Sequence, residues 1–145
     1  MSPLVLSAFT ATSALGRGLE ATLSGLRAQR SGLARCRFET VSLDTCVGEV
    51  PGVDQSALPR ELAEFDCRNN RLAWLALTQD GFTAQVAASA ARYGASRVGI
   101  FLGTSTSGIL ETELAYRRRD PQTGALPEGF SYHGAHNTFS VAAFV

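Results

Sequence analysis

Apolar positions recur along this chain at two different periods. Leu15, Leu19, Leu23 and Leu26 fall on one face of a 3.6-residue helix, with Arg17, Glu20 and Arg27 off that stripe, which predicts an amphipathic first helix that stops near Gly32. Before it, residues 4–9 (LVLSAF) have the composition of a buried strand, and the small residues that follow predict the turn out of it. From Asp66, an acidic N-cap candidate, Leu72, Leu75, Ala76 and Gln79 mark a second helix, and Gly81 is placed to interrupt it. Phe82, Val86, Ala90 and Tyr93 mark a third, closed by Gly94.

The near-continuous apolar run Arg97 to Leu102 (RVGIFL) predicts a central parallel strand buried on both faces. It leads through GTSTSG at 103–108 into another helical pattern, ILETELAYRRRD, where Glu113 and Arg117 have the spacing of an i, i+4 pair. PQTG and LPEG between Pro121 and Gly129 signal surface turns. Asn137 or Thr138 is an N-cap candidate for a last apolar run that is still in progress at Val145. Residues 36–50 alternate only partially, at Phe38, Val41 and Leu43, and predict a short peripheral strand or an irregular excursion. Strands alternating with helices make a layered α/β arrangement the expected class, with right-handed crossovers between parallel strands.

Composition narrows what such a fold is expected to do. The 145 residues suffice for one hydrophobic core, and 45% hydrophobic against 18% charged residues is globular rather than disordered. Thirteen Arg balance thirteen acidic residues, so no broad basic surface for nucleic acid is expected. There is no Lys, which removes a Schiff-base lysine, a lysine general base and the P-loop lysine from this chain. Cys36, Cys46 and Cys67 form no CxxC pair and suggest neither a disulfide scaffold nor a zinc ribbon. The opening residues lack the basic start of a signal peptide and no run is long enough to span a bilayer, so a cytoplasmic location is expected.

The candidate chemistry is sparse. Gly103, Thr104, Ser105 and Gly108 lie after a strand pattern and before a helix, where α/β proteins place binding groups and where free helix N–H groups receive anions. They fit neither GxGxxG nor GxxxxGK[ST], and a turn that lets two elements approach is the simpler reading. His133 and His136 have a spacing that could bring two imidazoles to one metal on a helix. Gly134 between them and the lack of an adjacent acid or thiol favour packing roles, so no metal site is assigned. No cysteine has a visible base beside it, and Arg117 to Arg119 fit a solvated helix end better than a docking patch for an acidic partner.

Three blocks together resemble the first part of the β-ketoacyl-ACP synthase family: SAFTATSALGRGLEATLSGLRAQRSG, FDCRNNRLAWLAL and RVGIFLGTSTSGILETE. The first is similar to that family's opening strand, S-x-L-G turn (Ser13, Leu15, Gly16), first helix and R-S-G exit (Arg30, Ser31, Gly32); the third is similar to its V-G-x-x-x-G-T strand (Val98, Gly99, Gly103, Thr104). The resemblance implies a thiolase-like fold, layered α/β/α/β/α when complete and commonly dimeric. Residues 1–145 would then be the N-terminal part of the synthase's N-terminal domain. It implies a decarboxylative Claisen condensation in fatty acid or polyketide-type biosynthesis. A cysteine thiolate takes an acyl group from a carrier thioester, and the carbanion left when malonyl-ACP loses carbon dioxide attacks it.

That nucleophile belongs to a T-A-C-S-type elbow that this sequence does not contain, and the family's catalytic histidines come later still. Cys36, Cys46, Cys67, His133 and His136 match none of them, so no catalytic residue is assigned and the segment alone is expected to be inactive. Ala135, His136 and Phe139 match the region that lines the acyl pocket near the dimer interface, and the 103–108 loop matches scaffold around it. The implied partners are acyl carrier protein and a second copy of the complete protein, with no nucleic acid, membrane span or cofactor. The alternative is a non-catalytic chain-length-factor-like partner of a ketosynthase.

Overall fold

The computed structural model describes residues 3–38, 41–104 and 107–145. Its elements in chain order are β1 (Thr12–Ser13), β2 (Gly16–Arg17), α1 (Gly18–Arg27), β3 (Leu33–Arg35), β4 (Cys46–Gly48), a 3₁₀ turn (Arg60–Phe65), α2 (Arg68–Leu77), α3 (Phe82–Tyr93), a second 3₁₀ turn (Ala95–Arg97), α4 (Ile109–Arg117) and α5 (Ser140–Phe144). Helices with two small two-stranded sheets make this a mixed α/β protein. Both sheets are antiparallel: β1 with β2, and β3 with β4 in the register Leu33↔Gly48, Ala34↔Val47, Arg35↔Cys46.

The buried strand expected at 4–9 and the central strand expected over Arg97–Leu102 are not formed, and Arg97 ends the second 3₁₀ turn. Residues 4–9 and 98–102 take no strand or helix conformation, Leu4 is 99% exposed and Phe101 97%, and Val5, Leu6, Ile100 and Leu102 are exposed as well. No parallel pair, and hence no parallel crossover, occurs among the described residues. The physical reason is that apolar, β-branched composition measures fitness for a pleated, half-buried surface. Without a neighbouring strand to complete the ladder and a layer to cover the face, it produces no strand.

Helices follow local signals, and those were better expectations. The pattern in the first apolar stripe yields α1, but the helix ends before Gly32: Ala28 closes it and Gln29 turns at φ 50°, so the stop expected at Gly32 falls earlier. Gly32 instead presses on Ala14, whose backbone and Cβ would lie 2.7 Å from any Cβ placed there. Only the inner part of the leucine stripe is covered, because Leu23 and Leu26 are exposed. Gly81, in left-handed conformation, separates α2 from α3, and Gly94 ends α3 at φ 91°. Asp66 does not cap α2. Cys67 immediately precedes the helix, and the backbone N–H groups of Asn69 and Asn70 bond to its sulfur, while Asp66 pairs with Arg71. No ion pair joins Glu113 to Arg117 on α4, and Arg118 instead donates to the Leu114 carbonyl at the helix end. Phe38, Val41 and Leu43 lie in the exposed connection between β3 and β4.

The chain divides into two compact units. One comprises the described residues of 1–53 with Leu75–Ala95, the other Asp54–Trp74 with Ser96–Val145. In the first, Asp80 ties the end of one segment to the start of α1: both carboxylate oxygens accept from the Leu19 N–H, at 3.0 and 3.2 Å, and Oδ2 also accepts from the Thr10 hydroxyl at 2.7 Å. Arg17, which begins α1 without a side-chain cap, donates instead to the Pro51 carbonyl at 2.9 Å. The second unit buries Cys67, Asn70, Ser107, Ala115, Ala135, Ser140, Val141 and Phe144. Phe144 sits against Phe65 and Trp74, with ring centroids 6.0 and 6.4 Å away.

Candidate functional site

The described residues of the 103–108 loop and the 130–139 segment belong to the second unit. Their meeting point is Gly108. It takes φ 65°, a conformation that costs residues with a Cβ, and the place where a Cβ would stand is filled by the Ala135 carbonyl oxygen, 2.3 Å away. Glycine therefore serves both a turn into α4 and a close backbone approach. Thr112, one turn into α4, sends its hydroxyl to within 2.8 Å of the Gly108 carbonyl and 3.0 Å of the His136 carbonyl, which ties the 135–136 backbone to the same spot. Ser107, buried, accepts from the Asn69 side-chain amide at 3.1 Å, so the loop end is also anchored to α2.

The other loop candidates behave differently. Gly103 is exposed with nothing within 4 Å of a Cβ position, Thr104 is exposed, and Ser105 lies outside the described residues. The close-packing role therefore belongs to Gly108.

The three acyl-pocket candidates are brought near one another in sequence but face different surroundings. Ala135 is buried, with its carbonyl against Gly108. His136 is half-buried; its ring lies 4.5 Å from that of Phe130, and Phe130 in turn meets Tyr116 edge-on. The His136 Nδ1 lies against the Ser131 backbone, 2.8 Å from its carbonyl oxygen and 3.3 Å from its nitrogen. Phe139 is 80% exposed, and its N–H donates to the Asn137 side chain at 2.7 Å, the turn that starts α5. His133 packs its ring edge-on against Tyr132. Among the described residues no group of three or more His, Cys, Asp or Glu is placed to hold a metal.

Comparison with protein-family models, curated proteins and solved structures found no match. The likeness to condensing enzymes therefore rests on the motif blocks of the sequence alone.

The cysteines are all free: Cys46 exposed, Cys36 half-buried, Cys67 buried. Burial pushes the Cys67 thiol above its ordinary value, outweighing the two backbone N–H groups that favour the thiolate, and Glu111 and Asp66 push in the same direction as burial. A thiol in that condition is a capping and packing group, not an activated nucleophile.

Sequence reasoning missed two polar constellations. Arg71 reaches back to Asp66 with paired contacts of 2.5 and 2.7 Å and to the Asp54 carbonyl at 3.4 Å, while Arg68 holds the Asp54 carboxylate at 2.9 Å. These contacts frame a shallow groove lined by Asp54, Ser56, Leu58, Ala63, Asp66 and Arg71. The D-x-R-x-x-R spacing in FDCRNNR was the available signal for it. The second is Asn70, fully buried, whose amide donates to the Phe65 carbonyl at 2.8 Å while its Oδ1 has no partner. Nothing in the sequence distinguishes Asn70 from Asn69 before the fold is known. No helix among the described residues is long and apolar enough to cross a membrane.

Proposed function

We propose that this chain is the N-terminal portion of a β-ketoacyl-ACP synthase-type condensing enzyme, contributing scaffold and part of an acyl pocket rather than the reacting groups. The observation that carries this reading is the order and spacing of the three motif blocks across most of the chain. Two features support it. Each block carries a helix, with α1 after the S-x-L-G turn, α2 inside FDCRNNRLAWLAL and α4 after GTSTSG. The V-G-I-F-L segment, of buried-strand composition, stands exposed, which suits a strand that takes its place only in a larger layered sheet.

In the complete enzyme a cysteine thiolate outside these residues would attack the carrier thioester, taking the acyl group as a new thioester and releasing the carrier's thiol. Malonyl-ACP would then lose carbon dioxide, and its carbanion would attack the thioester carbon and expel the thiolate. Covalent capture divides one difficult step into two, and oxyanion-hole N–H groups would stabilise the developing charge. In this proposal Ala135, His136 and Phe139 shape the pocket near a dimer interface, acyl carrier protein delivers both substrates, and the location is cytoplasmic.

The test is acylation with a radiolabelled acyl thioester. The 145-residue chain should take up no stable label, whereas the protein translated from an extended coding frame should be labelled on one elbow cysteine and condense the acyl group with malonyl-ACP. Stable label on Cys36, Cys46 or Cys67, or an extended frame without a nucleophile elbow and two later histidines, would overturn the assignment. An elbow with Gln in place of Cys, and no labelling, would instead favour the chain-length-factor-like partner.

A further inference from the structure

No further inference is drawn: the strongest candidate, the exposed apolar segment at residues 98–102 ahead of the loop into α4, has nothing in the structure to show what covers it.

Discussion

At Gly108 a single missing Cβ decides whether two backbones meet. Replacing it with Ala puts a methyl group against the Ala135 carbonyl and forces a left-handed φ on an L side chain, so Gly108→Ala should cost about 2–4 kcal/mol. Gly134→Ala meets the Glu64 carbonyl oxygen at 2.2 Å without the conformational penalty and should cost about 1–3 kcal/mol. Gly103→Ala, in open space, should stay within about 0.5 kcal/mol of the parent. Urea unfolding followed by Trp74, the one tryptophan, reads all three, and equal midpoints for Gly108→Ala and Gly103→Ala would refute the packing argument.

Asp66 supplies a pH dependence of known sign. Its hydrogen bonds and charge pairing with Arg71 hold the carboxyl below its ordinary value near 3.8, against a smaller opposing effect of burial. A depressed folded-state value means the stabilisation is fully present above about pH 4, the unfolded range, and is lost as pH falls through the folded value. Both side chains are about a third exposed, 31% and 38%, so the pair is worth no more than about 1 kcal/mol at neutral pH. Arg71→Met should abolish part of the acid sensitivity below about pH 4 while keeping the side-chain stem. An unchanged acid profile in that variant would show that Asp66 is not its source. The helix-start reading of Asp66 did not identify its partner, although the D-x-R-x-x-R spacing places Arg71 within reach. Its actual partner lies five residues on and depends on the 3₁₀ turn ending there, which periodicity does not encode.

At the scale of elements, α1 owes its start to a residue 61 positions away. No side chain of its own caps it, and Asp80 provides the acceptor for Leu19 at the positive end of the helix dipole. Asp80→Ala should destabilise the first unit by about 1 kcal/mol, with added cost because Asp80 turns at φ 55°. Asp80→Asn, which keeps an acceptor oxygen and tolerates that turn, should recover most of the loss. Amide exchange at Leu19 is the reading, and equal protection in the Ala and Asn variants would dismiss the capping role. Helices α1 and α3 were legible because neighbours within a few residues announce them, the leucine stripe for α1 and Gly81 and Gly94 around α3. Helix α5 departs from its expected cap at Asn137 or Thr138, because Phe139 occupies the N-cap position without a side-chain cap and Asn137 accepts from the Phe139 N–H in the turn before it. Helix starts were less legible, since Asp80 at α1 and Cys67 at α2 reach their places by tertiary approach or by the preceding turn.

At the scale of the whole molecule, exposed apolar side chains are numerous, among them Leu4, Val5, Leu26, Ile100 and Phe101. Such surface binds apolar dyes and promotes association. Phe101→Lys offers a discriminating test because Phe101 is nearly fully exposed in this chain. The substitution should change the unfolding free energy of the 145-residue chain by less than about 0.5 kcal/mol and reduce dye binding and sedimentation heterogeneity. In the extended protein of the proposed synthase the same change would place a charge in a central strand and abolish soluble expression. A neutral outcome there would count against the layered sheet.

What the sequence determined by itself is the helical character of the main helical segments, the glycine breaks at Gly81 and Gly94 and the absence of lysine chemistry, because these depend on residue identity and on spacings within a few turns. Tertiary structure alone decided that Gly108 and not Gly103 is the packing glycine, that Asp80 caps α1, that Cys67 is buried where desolvation raises its thiol, and that the apolar runs at 4–9 and 98–102 carry no strand. A close approach between distant backbones leaves no local trace. A strand is completed only by a neighbour whose position no local pattern specifies.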